Sequence, residues 1–493
     1  MPSLLPEFLQ SSAPELTFLR HMEEGMDRAR QRTVRRTLAG RHSQAPVFRP
    51  LLLGYNGAAN TGADVRVIEM LRQFRRIFGH VQFEPVLLAS GTHFDHAQFE
   101  PLRKLHDTAY FPDFLSESIE DYTGVIACEG SMFTSTFSDS LTGMFAGGMG
   151  HAAALGHLSV GYGAEAASMT APLEKFVKSA CGKSLIVARN SDSLRKLQKL
   201  GLRTRPGADP AWSFEPAKQA DLAMLRQAGW NGTDRVAVLC PINPFCWPLV
   251  VDMKRAAAAI RHGVREERQH DAISFHSWSE EAAQKYAAYL SGFAQLARWL
   301  RQRGYFPVLV GMQDIDKASC EDVSGLLDGA LPVCVRGSNS IDEITGVLHR
   351  AALIVSSRYH ATVIGMSAGT PCIGVSMDSR IDRLFSENEL GDWLLPCHAE
   401  HLGEMLIDRA ARIEPFSDAL TDRYGRLAAQ QIRAFGQMGL DVMQEAADTY
   451  ADFPPSPLPD RWDAYLPPLS VRVEKLLCRY SSDAVVNTER YGS

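Results

Sequence analysis

The sequence predicts an α/β protein with two Rossmann-like, doubly wound domains that face each other across a cleft. At 493 residues the chain is too long for one ordinary core and long enough for two domains with extensions. Hydrophobic residues make up 45% and charged residues 22%, which is the balance of a globular protein. Short apolar runs alternate with amphipathic helical patterns in two successive sets. Parallel sheets with crossover helices require this alternation.

Residues 1–45 are predicted to form a helical N-terminal extension. From Glu15 to about Arg41 apolar residues recur at helical spacing, and the second half of this helix is rich in arginine. Two interpretations stay open for it. The helix could make peripheral contact with an anionic membrane surface or partner, or it could dock on its own domain with a solvated arginine face.

Residues 46–230 and 231–412 are predicted to form the two Rossmann-like domains. The first set of predicted strands comprises PLLLGY, QFEPVLLA, GVIACEG, HLSVGYG and SLIVARN. The second set comprises RVAVLCPIN, FPVLVGMQ, LPVCVRG, ALIVSSRYH and PCIGVS. A polar connection with one helix separates the sets and marks the boundary.

Residues 413–450 are predicted to form one or two closing helices. Residues 451–493 contain PPSPLP and LPPL, so a proline-rich tail without a core of its own is expected to run over the surface.

Composition also limits the partners and the compartment. A net charge of −6 gives no reason to expect nucleic acid. Nine cysteines without a CxxC pair suggest neither a disulfide framework nor a zinc site. The N-terminus lacks a signal-peptide pattern and no segment approaches about 20 apolar residues, so a cytoplasmic protein is expected. The oligomeric state is not determined by these features.

Arg358 and His360 are the strongest candidates for chemistry. They follow the apolar run ending at Val355 and stand at the start of a predicted helix, at the mouth of the expected cleft. Arg358 and the helix N-terminus together suit a phosphate or carboxylate, and His360 can transfer a proton near neutral pH. The alternative is that Arg358 pairs with an internal carboxylate and His360 caps a helix.

Further candidates follow other predicted strands. Arg189 could face the cleft from the first domain, or it could pair with Asp192 or Asp209. Asp64 suits a helix cap, which is the preferred interpretation, or a base for an acceptor hydroxyl.

Two other groups could border the cleft. The glycine-rich loop from Gly54 to Gly62 allows close approach of a ligand to the backbone. His276, Trp278 and Tyr286 could stack on sugars, although a core or interface role is commoner.

Several of these stretches resemble the signature of the polysaccharide pyruvyl transferase family. The clearest is Ser357-Arg358-Tyr359-His360-Ala361, followed by Ala368-Gly369-Thr370-Pro371 and Gly374-Val375-Ser376. The loop from Asn56 to Asp64, the stretch Glu129-Gly130-Ser131 with Asp139, and Arg189 to Ser193 with Asp209-Pro210-Ala211 resemble further family motifs in the same order. Two positions depart from the pattern, since an extra Ala63 precedes Asp64 and Glu129 stands where glycine is usual.

The resemblance implies a fold like that of two-domain glycosyltransferases of type B. It also implies transfer of a pyruvyl group from phosphoenolpyruvate to saccharide hydroxyls as a ketal, with no cofactor and no metal. The catalytic residues it implies are His360, Arg358 and Asp64. The substrate-binding residues it implies are Asn60, Gly62, Gly130, Ser131, Arg189, Ser357 and Ala361. A nucleotide-sugar glycosyltransferase of the same architecture and a non-catalytic binding protein are the alternatives.

Overall fold

Two parallel β-sheets, one in each half of the chain, organise the protein. A computed structural model describes residues 3–38, 47–106, 110–247, 249–262, 269 and 273–481. The predicted helix end at Arg41 and the predicted domain boundary at residues 45 and 46 lie outside these ranges.

The seven strands of the first sheet are β1 Pro50–Asn56, β2 Val86–Ala89, β3 Arg103–Leu105, β4 Gly124–Ala127, β5 Leu158–Ala164, β6 Leu185–Ala188 and β7 Thr204–Pro206. The six strands of the second sheet are β8 Arg235–Cys240, β11 Tyr305–Gly311, β12 Val333–Val335, β13 Leu353–Ser356, β14 Cys372–Ser376 and β15 Leu394–Pro396. Their spatial order is β3-β2-β1-β4-β5-β6-β7 in the first sheet and β12-β11-β8-β13-β14-β15 in the second. A small antiparallel pair consists of β9 Leu249–Val251 and β10 Ser274–His276.

Every pair within the two large sheets is parallel. In each sheet the first strand lies inside and the chain winds outward to both sides, which is the doubly wound arrangement. The predicted fold class is confirmed. The sequence patterns did not indicate the short edge strands β3, β7 and β15, although they did indicate β12, an edge strand of the same length.

Sixteen α-helices cover these sheets in the described part of the chain. They are α1 Leu5–Gln10, α2 Pro14–Leu38, α3 Thr61–Ile77, α4 Phe111–Ser118, α5 Asp139–Ala154, α6 Ala171–Cys181, α7 Ser191–Lys199, α8 Ala220–Gln227, α9 Met253–His262, α10 Glu280–Gln302, α11 Asp316–Gly325, α12 Ile341–Arg350, α13 Tyr359–Ser367, α14 Ser379–Ser386, α15 Leu402–Thr449 and α16 Val471–Arg479. Among the described residues, none of the helices has the length and apolar content needed to cross a membrane.

The basic N-terminal helix α2 docks on α5 of the first domain. Glycines of α5 make this close approach possible, since a Cβ at Gly147 would lie 2.2 Å from Met22 and one at Gly150 would lie 2.2 Å from Met26. Four of its arginines lie in ion pairs, namely Arg20 with Glu7, Arg28 with Glu24, Arg30 with Asp27 and Arg32 with Glu120. The apolar face of α2 is therefore buried against α5, as the docking interpretation expects.

The C-terminal part of the chain differs from the sequence-based expectation in where its closing helix begins. A single helix, α15, begins at Leu402, before the predicted residue 413, and continues through Pro415. The tail does contribute to a core, because Tyr465, Leu466 and Val473 are buried. These residues belong to the main hydrophobic core, where they pack with α15 and α3, so the tail has no separate core.

Candidate functional site

Charged side chains lie together where the carboxyl ends of strands from both sheets converge. Glu165 follows β5 and Arg189 follows β6 in the first domain, whereas Arg336 follows β12 and Arg380 follows β14 in the second. Loops at the carboxyl ends of parallel strands are the usual ligand-binding edge of such sheets. Backbone contacts join the domains here, since the Thr61 N–H donates to a carbonyl oxygen of the second domain at 2.8 Å.

The buried carboxylate of Asp209 lies at the centre of this edge. Its Oδ2 accepts hydrogen bonds from Arg66 Nη1 at 2.6 Å and Arg189 Nη1 at 2.8 Å, and lies 3.3 Å from His360 Nε2. Burial alone would raise the pKa of Asp209, but the attraction of Arg66, His360 and Arg189 holds it well below its usual range. Asp209 is therefore a permanent negative charge beside the imidazole.

His360 lies on α13 of the second domain and contacts the first domain. Its side chain is 16% exposed and its Nε2 faces Asp209 of the first domain. Burial lowers the pKa of His360, although the neighbouring Asp209 opposes this shift. The other ring nitrogen faces Gly62, where a Cβ would lie only 2.0 Å from Nδ1. Gly62, predicted to bind substrate, is thus placed against the candidate catalytic ring.

Arg189 is fully engaged with acidic and aromatic neighbours. Its Nε donates to Glu165 at 2.8 Å, its Nη1 donates to Asp209, and its guanidinium lies 4.4 Å from the centre of the Tyr359 ring. A Cβ at Gly130 would lie 2.4 Å from Nη1, so this glycine admits the guanidinium. The pairing with Asp209 is one of the two interpretations left open by the sequence.

Arg358 pairs with an internal carboxylate. Its Nε donates to Asp316 at 2.8 Å, a second contact joins Nη2 to the same carboxylate, and Asp316 is fully buried. Arg358 is therefore placed as the alternative interpretation expects, in a pair with an internal carboxylate. Its neighbours are also enclosed: Ser357 Oγ lies 2.8 Å from the hydroxyl of Tyr289, and Ala361 is fully buried. Neither Ser357 nor Ala361 borders the arginine-lined cavity described below.

The preferred interpretation of Asp64 as a helix cap is wrong. Asn60 caps α3, because its Oδ1 accepts the Ala63 N–H at 3.1 Å, and Asp64 lies further along, in the first turn of the helix. Asp64 is buried and accepts a hydrogen bond from Arg336 Nη2 at 3.0 Å, and Arg336 also pairs with Asp95. Burial raises the pKa of Asp64 to about 7, against the attraction of Arg336.

Asn60 and Gly130 form hydrogen bonds, and Ser131 borders a small void. Asn60 Nδ2 donates to Gln313 of the second domain at 3.2 Å. The carboxylate of Glu129, the unusual residue beside Gly130, accepts the Gly130 N–H at 2.8 Å. Ser131 lines a void of about 20 Å³ together with Arg380.

A cavity of about 370 Å³ opens beside Arg189 and Tyr359, between α7 of the first domain and α14 of the second. Four arginines line it, namely Arg189, Arg195, Arg380 and Arg383. The N-terminus of α7 also borders it, and there the Ser191 N–H donates to the Glu387 carboxylate at 3.4 Å. Cationic groups from both domains thus converge on one cavity next to the Asp209 and His360 pair.

Sequence reasoning missed Arg66, Glu165, Arg380 and Arg383 as members of this site. Glu165 and Arg380 follow the ends of β5 and β14 closely, so the rule that found Arg358 could have found them. Arg66 lies inside the regular pattern of α3 and carries no comparable signal. Among the described residues, no group of three or more His, Cys, Asp or Glu side chains is placed to hold a metal ion.

Comparison with known proteins gives one family. Residues 158–379 match the family described as polysaccharide pyruvyl transferase. The match confirms the resemblance noted in the sequence and includes Arg189, Asp209, Arg358 and His360. The stretches around Asn60 and Gly130 precede the matched residues. No curated protein matches the chain.

Solved structures with similar folds have low sequence identity. HepE from Anabaena in complex with UDP-glucose is 11% identical with a TM-score of 0.47, over 81% of this chain and 98% of that chain. MnaA from S. aureus with UDP is 9% identical with a TM-score of 0.46, over 77% of this chain and 91% of that chain. A UDP-GlcNAc 2-epimerase from Methanocaldococcus jannaschii is 10% identical with a TM-score of 0.45, over 74% and 91%.

Proposed function

We propose that this protein, which matches the polysaccharide pyruvyl transferase family over residues 158–379, transfers the pyruvyl group of phosphoenolpyruvate to two hydroxyls of a saccharide precursor in the cytoplasm. In the reaction the methylene carbon of the donor gains a proton and becomes a methyl group. The two hydroxyl oxygens bond to the neighbouring carbon, and the phosphate leaves. Of the two hydroxyl protons, one balances the new methyl C–H bond and the other leaves with the phosphate.

The observation that carries this proposal is the arginine-lined cavity beside the Asp209 and His360 pair. Phosphoenolpyruvate has a phosphate and a carboxylate, and guanidinium groups bind both through paired N–H donors. Arg189 lines the cavity and shares the Asp209 carboxylate with His360, so one guanidinium connects the cavity to the imidazole.

His360 supplies the proton in this proposal. Its lowered pKa leaves the imidazole mostly neutral in the empty site, but a bound dianion favours the protonated ring. Asp209 stabilises the resulting imidazolium and orients the ring through Nε2. The arginines of the cavity stabilise the departing phosphate, so the route needs no metal ion.

The test is calorimetric binding of phosphoenolpyruvate together with release of inorganic phosphate in the presence of a panel of saccharides. Arg195→Gln removes an exposed guanidinium of the cavity and should weaken donor binding about fivefold or more, equivalent to about 1 kcal/mol. Lys199→Gln is the matched control, because Lys199 is exposed on the same helix α7. It should leave donor binding unchanged.

His360→Asn separates binding from chemistry. We expect donor affinity within about twofold of the parent protein and a rate of pyruvyl transfer lowered by roughly a hundredfold, as for loss of a proton-transfer group. Full activity of this variant would remove His360 from the mechanism. Saturable binding of a nucleotide sugar without binding of phosphoenolpyruvate would instead make the protein a glycosyltransferase.

A further inference from the structure

The cavity of about 370 Å³ contains a second set of polar residues besides its arginines. Five residues with carboxamide side chains line it, namely Asn190, Gln198, Asn388, Gln430 and Gln431. They come from α7 and its N-cap, from the segment after α14, and from α15. A carboxamide carries no charge, and it offers two N–H donors and a carbonyl acceptor. This set therefore suits a ligand with neutral groups that both donate and accept hydrogen bonds.

Two glutamines of α15 that lie outside the cavity have partners on the same helix. A helical side chain lies next to the one four positions later, and hydrogen bonds between Gln and Asp form at this spacing. Gln437 Nε2 donates to Asp441 at 3.0 Å, and Gln444 Nε2 donates to Asp448 at 2.8 Å. The carboxamides of these two glutamines are therefore already engaged within the helix.

The two glutamines of α15 that line the cavity lack such a partner. Four positions after Gln430 and Gln431 stand Ala434 and Phe435, whose side chains have no hydrogen-bond acceptor. Within the described ranges of the chain, no hydrogen bond joins either carboxamide to another protein group. Both residues are only half-buried, so a ligand in the cavity can reach them.

The other three carboxamides add both kinds of hydrogen-bonding group. Asn190 Oδ1 accepts the Ser193 N–H at 2.9 Å as the cap of α7, which engages its oxygen and leaves its Nδ2 donors for a ligand. Asn388 Nδ2 donates to the Leu384 carbonyl at 2.8 Å, which engages one donor and leaves its oxygen. Gln198 is exposed near the end of α7. The cavity therefore offers N–H donors and carbonyl acceptors together.

The charges of the cavity favour a neutral second ligand. Its arginines suit the anionic donor, but the Glu387 carboxylate also lines it. This carboxylate lies at the N-terminus of α7, where it accepts hydrogen bonds from Ser191 Oγ at 3.2 Å and the Asp192 N–H at 3.3 Å. A second anion would be repelled by this negative charge, whereas a hydroxyl can donate a hydrogen bond to it.

We propose that Gln430 and Gln431 bind hydroxyl groups of a neutral saccharide acceptor, in the same cavity whose arginines bind the anionic donor, an inference that rests on the proposed function. A saccharide hydroxyl donates one hydrogen bond and accepts others, and a carboxamide matches both roles. The cavity volume lies within the range of about 300–1,000 Å³ that is typical of small-molecule sites. Binding of both substrates in one cavity brings the acceptor hydroxyls to the donor, as the transfer requires.

The first test is saturation-transfer difference NMR of the full-length protein. The probes are the methyl pyranosides of glucose, galactose, mannose and N-acetylglucosamine, with uridine for comparison, and at least one glycoside should give a saturable signal. Gln430→Met and Gln431→Met keep the length and helix propensity of the side chain but remove its hydrogen bonds. Each should raise the Kd of that glycoside about fivefold, as expected for loss of one neutral hydrogen bond.

Gln444→Met is the matched control, because Gln444 lies on the same helix α15 and its carboxamide is engaged with Asp448. It should leave glycoside binding unchanged. The proposal would be overturned by the lack of a saturable signal with every glycoside, or by a signal with uridine alone. Equal glycoside affinity in Gln430→Met, Gln431→Met and Gln444→Met would overturn it as well.

The transfer reaction separates this inference from the proposed function. Gln430→Met and Gln431→Met should each raise the acceptor KM about fivefold while kcat and phosphoenolpyruvate affinity stay at the parental values. If the donor binds and reacts but both variants keep the parental KM, the carboxamide assignment fails and the transferase proposal stands. If both variants weaken glycoside binding but the parent protein does not bind phosphoenolpyruvate, the transferase proposal fails and the saccharide site stands.

Discussion

Replacing Gly62 by alanine tests whether the two domains meet at His360 as described. A Cβ built at Gly62 would lie 2.0 Å from Nδ1 and 2.5 Å from Cγ of the imidazole, whereas real Cβ contacts stay above 3.0 Å. The ring or the domain must therefore move by about 1 Å, the difference between 3.0 and 2.0 Å. The distance from Nε2 to Asp209 is 3.3 Å, so a displacement of this size disrupts the geometry of this hydrogen bond.

Two opposing effects set the expected change in stability. Overpacking at a buried contact costs about 1–3 kcal/mol, whereas alanine in place of glycine within a helix gains up to about 1 kcal/mol. We therefore expect the free energy of unfolding to fall by roughly 1–2 kcal/mol. Gly325→Ala is the matched control, because Gly325 ends α11 with open space around it and reports the helix gain alone.

Urea unfolding followed by fluorescence measures the stability change, and proton NMR of the histidine Cε1 resonances reports the position of His360. If the protein is a pyruvyl transferase, displacement of the ring by about 1 Å should also lower the rate about a hundredfold. A Gly62→Ala protein as stable as Gly325→Ala, with an unchanged His360 resonance, would refute the contact between the domains.

Three further results are expected. Arg358→Ala should lower the free energy of unfolding by about 3–5 kcal/mol, because it leaves the buried Asp316 carboxylate without its cationic partner. Adding Asp316→Asn to this variant should restore much of the lost stability. Loss of donor binding without loss of stability would instead indicate that Arg358 binds the anionic donor. Burial lowers the pKa of His151 from 6.5 to about 4, so stability should fall as pH decreases from about 6.5 to 4, and acid titrations of His151→Gln should show a shallower loss. An equal loss in the variant would contradict this assignment. Met22→Ala should lower the free energy of unfolding by about 2–5 kcal/mol in urea, because the Met22 side chain is fully buried where α2 packs on α5. An unchanged urea midpoint would refute the docking of α2 on α5.

The sequence predicted the fold well because buried parallel strands leave a local signal. Continuous apolar runs such as LIVS at β13 and LIVA at β6 mark strands that are covered on both faces. The order of these runs and helices is enough to specify two doubly wound domains. The length of α15 was harder to predict, because Pro415 interrupts the helical pattern without ending the helix.

The sequence alone determined the two-domain architecture, the position of His360 at a strand end, and the resemblance that the family match confirms over residues 158–379. Only the tertiary structure decided the partner of each charged side chain. Asp209 and His360 are 151 positions apart, and Asp64 meets Arg336 across 272 positions. No local pattern encodes such pairings. A buried charge is stable only beside an opposite charge, and the packing of the two domains determines which opposite charge lies within reach.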